Sequence, residues 1–216
     1  MNEKALLDGL VMYLCFIPII TFHEFAHAWV AWKLGDDTAY KLGRVTLNPV
    51  SHIDMVGTVL IPGLALLLMA SGSGLSGFLI GWGKAVPVNP YNLKNRAKDD
   101  TLISLAGPAM NLVLALAALL LLRGFLAWDA KAIAEALWNV AYLSVFLCWF
   151  NMLPIPPLDG SHPTKYLIGM KEETYAKIAQ YGLLILIVAF QIPAIREFLS
   201  YMTGGTLRIM KAMVGL

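Results

Sequence analysis

The residues His23-Glu24-Phe25-Ala26-His27 lie inside an apolar run that extends from about Leu6 to Leu34. That placement constrains the fold more than any other feature of the chain. Positions i and i+4 of a helix share a face, so both imidazoles can reach one metal ion. Glu24 projects about a quarter turn away, beside the metal, where a general base for an activated water belongs. In a water-soluble protein the flanks of such a helix are amphipathic. Here they read Tyr13-Leu14-Cys15-Phe16-Ile17-Pro18-Ile19-Ile20 on one side and Ala28-Trp29-Val30-Ala31-Trp32 on the other. The metal-binding helix is therefore expected inside a membrane.

Composition points the same way. The chain is 58% hydrophobic and 14% charged, with a mean hydropathy of +0.68. Soluble domains carry roughly a quarter charged residues, so the class is a polytopic membrane protein whose solvent is the lipid bilayer. The formal charge of +2 comes without a basic cluster, so no nucleic-acid partner is expected. Cys15 and Cys148 sit in separate apolar segments, form no CxxC and give no disulfide framework. The N-terminal run is not read as a cleavable signal, because its removal would remove the HExxH.

Apolar stretches at about 6–34, 53–71, 102–122, 133–153 and 174–192 each approach the length needed to span a bilayer, roughly 20 residues. The segment from Ile195 to Leu216 carries Arg196, Glu197, Arg208 and Lys211 and reads as an interfacial or helix-packed tail. No repeat or linker divides the chain, so residues 1–216 are expected to form one domain. The loops from Gly35 to Asp54 and from Gly81 to Asp100 alternate apolar with polar residues and contain Asn48-Pro49 and Asn89-Pro90. That pattern favours short strands, expected over 38–47 and 84–90. The expected fold class is all-α and polytopic, with about five to six transmembrane helices and small β-strand elements.

Topology follows from charge. The two loops hold Lys41, Arg44, Lys84, Lys94, Arg96 and Lys98, whereas the connection after the third stretch holds only Arg123 and Lys131. Positive-inside bias puts both loops in the cytosol. Residues 53–83 must then leave and return on one side, as a re-entrant hairpin or as a span with a short return. Irregular backbone at that depth is tolerated only against protein or a water-filled cavity, so the segment is expected beside the metal site.

A catalytic zinc site wants about three protein ligands and an open position. His23 and His27 supply two. Ionisable groups are costly in apolar segments, and one stands out. Asp159 ends Asn151-Met152-Leu153-Pro154-Ile155-Pro156-Pro157-Leu158-Asp159. Three prolines cannot continue a regular helix. They enforce an extended stretch that holds one carboxylate at a fixed depth, where a zinc ion is the best available partner.

With these residues in place, the chain resembles the site-2 protease family of intramembrane zinc metalloproteases. The resemblance rests on His23-Glu24-Phe25-Ala26-His27, on Asn151 to Gly160, and on Ala106-Gly107-Pro108-Ala109-Met110-Asn111. It covers nearly the whole chain and is nearest to the compact prokaryotic branch without PDZ or CBS domains. It implies one zinc per chain held by His23, His27 and Asp159, water activation by Glu24, and cleavage of transmembrane protein substrates near the cytosolic face. The location implied is a prokaryotic cytoplasmic membrane.

The reaction also needs a donor for charge that develops on the carbonyl oxygen. Asn151 is the candidate, with Asn111 the weaker one; interhelical hydrogen bonding is the alternative for both. Gly107-Pro108 reads as a site of close packing and a kink. His52 reads as a loop residue with a local hydrogen bond, the alternative being a cavity-lining group that polarises a substrate carbonyl, and His162 as a supporting residue, since a fourth protein ligand would close the site to water. An extended substrate could add to the edges of the two expected strands. Two other classes compete: a metal-binding membrane transporter, and a catalytically silent relative that binds membrane helices. Glu24 argues against both, because only hydrolysis requires it.

Overall fold

The computed structural model describes residues 3–70, 81–126 and 130–216. In chain order the helices are α1 (Glu3–Lys33), α2 (Thr38–Lys41), α3 (Ile61–Ala70), α4 (Arg96–Leu126), α5 (Lys131–Asn151), α6 (Ser161–Leu167), α7 (Glu172–Ala179), α8 (Gly182–Gln191) and α9 (Pro193–Val214). Short 3-10 turns lie at Pro49–His52 and Pro90–Asn92, and a π-helical stretch, Met55–Leu60, leads into α3.

Three helical segments are long and apolar enough to cross a bilayer: Leu6–Lys33, Arg96–Leu126 and Lys131–Asn151. The stretch read as a fifth span is broken. Glu172–Ala179 and Gly182–Gln191 meet at 67°, so they form at most one bent span. The expected count of five to six is thus reduced to three, or four with the bent pair, among the described residues.

α4 is the central rail. It packs most extensively on α5 and α1, while α9 covers the α4–α5 seam. Ala115, Ala118, Leu119 and Leu122 of α4 meet Ala141 and Val145 of α5 and Leu207 and Val214 of α9. Small residues at the crossings let the backbones approach, the usual source of packing where lipid supplies no hydrophobic drive. α9 buries Leu199, Thr203, Leu207 and Val214, spaced at helical intervals along one face. The tail is therefore a docked amphipathic helix. Trp149 Nε1 of α5 donates to Thr206 Oγ1 at 3.0 Å, and Arg123 of α4 donates to the Val214 carbonyl, which ties the middle and the C-terminal end of α9 to the bundle.

The expected β-strands are not formed: among the described residues there is no strand. Over 38–47 the local polar chemistry wins. Asp36, buried, accepts from Thr38 N at 3.1 Å and Thr38 Oγ1 at 2.5 Å, which starts the turn of α2. Lys41 then pairs with Asp37 at 2.7 Å, and Gly43 reverses the chain at a φ of 67°. Residues 81–89 are irregular because their backbone partners are turns and side chains. Trp82 N donates to Gly57 O at 3.2 Å and Lys84 N to His52 O at 2.9 Å. Asn89 N donates to Asp36 Oδ2 at 2.7 Å, and Arg44 donates to the Lys84 carbonyl. No second strand is left to form a ladder. The strand-addition route for substrate falls with this finding.

These contacts also join the two ends of 53–83. Thr58 Oγ1 donates to Trp82 O at 2.8 Å, and the Trp82 ring lies where a side chain on Gly57 would project, 2.4 Å from that Cβ position. The stretch returns to the place it left. The turn of the expected hairpin lies outside the described residues.

Candidate active site

α1 carries His23 and His27 one turn apart, both buried. Their Nε2 atoms are 3.0 Å from each other. Asp159 reaches them from the chain between α5 and α6, with Oδ2 at 3.2 Å from His23 Nε2 and Oδ1 at 3.4 Å from His27 Nε2. Its approach follows from local sequence: α5 ends at Asn151, the prolines prevent continuation, and Gly160 N donates back to Asn151 O at 2.7 Å. Gly160 permits that tight return, since a Cβ there would sit 2.2 Å from Met152 O.

The orientation of His27 is fixed by α4. Its Nδ1–H donates to Ile103 O at 2.6 Å, which leaves the lone pair of Nε2 facing His23 and Asp159. Asp159 Oδ2 is buried and has no hydrogen-bond partner among the described residues despite its closeness to His23. Lone pairs from two imidazoles and a carboxylate thus converge on one point, with one ligand atom from each within 4.8 Å of the others. This donor set, two nitrogens and one oxygen, fits zinc with a position left for water.

Gly107 makes the space. A Cβ at this position would lie 2.3 Å from His27 Nε2 and 2.6 Å from His23 Nε2. The sequence motif showed a packing glycine; the structure shows which atoms it clears. Only the crossing of α1 and α4 reveals this, and no periodicity in either helix encodes it.

Glu24 is half-buried and faces the segment 81–84: a Cβ on Gly83 would meet Glu24 Oε1 at 3.3 Å. Arg44 is buried nearby. Burial pushes its guanidinium below the ordinary arginine value, and the Glu24 carboxylate opposes that shift. His52 lies behind, its Nε2 donating to Thr46 O at 2.8 Å. Burial lowers its pKa, the Thr46 bond opposes and the Arg44 charge adds, so it stands as a neutral imidazole in a local hydrogen bond.

Asn151 closes α5, and its backbone carbonyl receives Gly160 N, next to Asp159. Its Nδ2 donates to Leu147 O at 3.0 Å, one turn back on its own helix. Asn111 is fully buried one turn beyond Gly107, and its amide has no partner. His162 binds Asp100 at 3.1 Å. Asp100 is a residue that sequence reading missed; an acidic residue near the start of an apolar helix was the available signal.

The sequence profile of Peptidase family M50 matches residues 127–190. The chain is 38% identical over 201 residues to "Putative zinc metalloprotease YwhC" of Bacillus subtilis, covering 86% of this chain and 83% of that protein. It is 36% identical over 197 residues to "Putative zinc metalloprotease Rip2" of Mycolicibacterium smegmatis, covering 88% and 68%. With Rip2 of Mycobacterium tuberculosis the identity is 35% over 184 residues, covering 82% and 64%. No solved structure matches the chain. The chain belongs to peptidase family M50, the site-2 protease family, and is an intramembrane zinc metalloprotease.

Proposed function

We propose that His23, His27 and Asp159 hold the zinc of this protease and that Glu24 is its general base. The convergence of two imidazole nitrogens and the Asp159 carboxylate within 3.0–3.4 Å carries the reading. When bound there, zinc supplies Lewis acidity toward water and the peptide carbonyl. Glu24 takes a proton from the attacking water and delivers one to the leaving amine, a role worth roughly 10²–10⁴-fold in rate. Ile103 O holds the Nδ1 proton of His27 and so keeps Nε2 available as a ligand. Asn151 gives one amide hydrogen to the Leu147 carbonyl, and its second can serve the developing oxyanion.

The substrates are membrane proteins. A carbonyl in a transmembrane helix is bonded internally, and exposing it in a dry bilayer costs several kcal/mol, so the substrate unwinds locally before attack. In this reading residues 1–216 act as one domain in the cytoplasmic membrane of a prokaryote. The lysine- and arginine-bearing loops, and the metal site beside them, face the cytosol.

Glu24→Gln provides the test. Expressed in place of the native chain, it stops the release of membrane fragments seen by proteomics, while the purified protein keeps its zinc. Continued cleavage by a zinc-loaded Glu24→Gln protein contradicts the assignment of the base. A transporter or a silent helix-binding protein would be unaffected by the change.

A further inference from the structure

The Asp159 segment cannot continue α5, because Pro154, Pro156 and Pro157 precede it, and on that side it is held by the bond from Gly160 N to Asn151 O at 2.7 Å. Its far side is α6, which starts two residues later. α6 is tied to α4 at one point. The Asp100 carboxylate, buried, receives His162 Nδ1 at 3.1 Å, Lys165 Nζ at 3.1 Å and Tyr166 Oη at 2.8 Å. All three donors come from α6. Lys165 is itself buried and shares its charge with Glu172 of α7 at 3.0 Å, and Glu172 returns to α4 through Arg96 at 3.3 Å. The ring of contacts closes from α4 through α6 and α7 back to α4.

α4 also holds the histidine side of the site. Three residues past Asp100, Ile103 O binds His27; four further on, Gly107 clears space for both imidazoles. One helix thus orients His27, clears space for both imidazoles, and clasps the segment that delivers Asp159. We infer that Asp100 is a positioning residue for zinc: by clasping α6 it sets the Asp159 carboxylate at the distance from His23 and His27 that the ion requires. The inference rests on the reading that Asp159 is a ligand.

A charged clasp suits this task better than apolar contact. Three donors of fixed geometry on one carboxylate determine position and rotation, whereas apolar surfaces tolerate sliding. Outer groups that orient metal ligands typically account for about 10–100-fold in metal affinity.

The experiment uses the full chain in detergent micelles, stripped of metal and titrated with zinc against a chromophoric chelator. Melting is followed on the same metal-free samples. Asp100→Asn keeps the shape and removes the charge. It is expected to weaken zinc binding about tenfold or more at a temperature where the metal-free melting curve shows the variant still folded, even though loss of the buried charge lowers its melting temperature. At saturating cobalt its d–d absorption should shift, which loss of stability alone would not produce. Wild-type zinc affinity in Asp100→Asn overturns the inference. Asp159→Ala is the control for the underlying reading: if it loses zinc binding, Asp100→Asn decides the inference, and if it retains zinc, both proposals fall. If Asp100→Asn does not fold, Tyr166→Phe decides, because it deletes one donor and leaves every charge paired. Zinc binding weakened a few-fold supports the clasp, and unchanged binding overturns it.

Discussion

From Arg96 to Gly107, α4 adds polar contacts and one cleared space to the apolar packing of Ile103 on Ala31 and Leu93: Asp100 on α6, Ile103 O on His27, and Gly107 against both imidazoles. From Ala115 to Leu122 the same helix meets α5 and α9 through apolar side chains alone. Both halves belong to one helix of 31 residues, and Pro108, which has no backbone N–H to donate, lies between them. The first half orients polar groups through hydrogen bonds and ion pairs. The second fills volume, and substitutions of similar shape can share that task. We therefore expect metal geometry to respond mainly to changes in the first half and fold stability mainly to changes in the second.

The largest effect is expected at Gly107. In Gly107→Ala the new methyl would overlap the Nε2 atoms that converge on the metal, at 2.3 and 2.6 Å. Zinc affinity should fall by at least about 100-fold, at the upper end of what disturbed metal surroundings cause, and proteolysis should fall with it. Because α4 favours alanine over glycine, the metal-free protein should not lose helicity by circular dichroism. Full zinc retention would mean that α1 and α4 part easily, and the division between the two halves would fail.

Leu119→Ala probes the other half. Leu119 is fully buried among α5 and α9. Its truncation should destabilise the fold by about 2–5 kcal/mol, measured by denaturation in mixed micelles. Zinc affinity of the molecules that remain folded should stay at the wild-type value. A parallel loss of zinc affinity would join the halves into one unit.

A smaller effect tests whether polar specification extends beyond α4. Burial works against ionisation of Asp36, but bonds from Thr38, Asn92 and Asn89 outweigh it, so its carboxyl lies below the ordinary range. A depressed folded pKa contributes stability above the unfolded value, about 3.9. That contribution is lost as pH falls through the folded value. Asp36→Asn should therefore lower stability at neutral pH and flatten its decline on the acid side. Parallel acid profiles for variant and wild type would show that Asp36 contributes no linkage.

These contrasts also explain what could be read from sequence. His23, His27 and Glu24 were legible because helical spacing fixes their relation within five residues, and Asp159 because prolines isolate one carboxylate. Gly107 was legible as a motif but not as clearance, since its meaning depends on the crossing of two helices far apart in sequence. The clasp at Asp100 likewise joins residues more than 60 positions apart. The expected strands failed where side-chain acceptors, above all Asp36, took the backbone donors that a ladder needs. The broken span at 174–192 shows that an apolar run sets a length and leaves the path undetermined.

The central claim, that two histidines and one aspartate hold the metal, is tested most directly by X-ray absorption at the zinc edge of the purified wild-type protein. The expected spectrum shows nitrogen and oxygen neighbours at about 2.0–2.2 Å, with outer-shell scattering from two imidazoles, and the bound zinc is lost in Asp159→Ala. Scattering from three or more imidazoles, which would bring in His52 or His162, or a sulfur neighbour at about 2.3 Å, would contradict it.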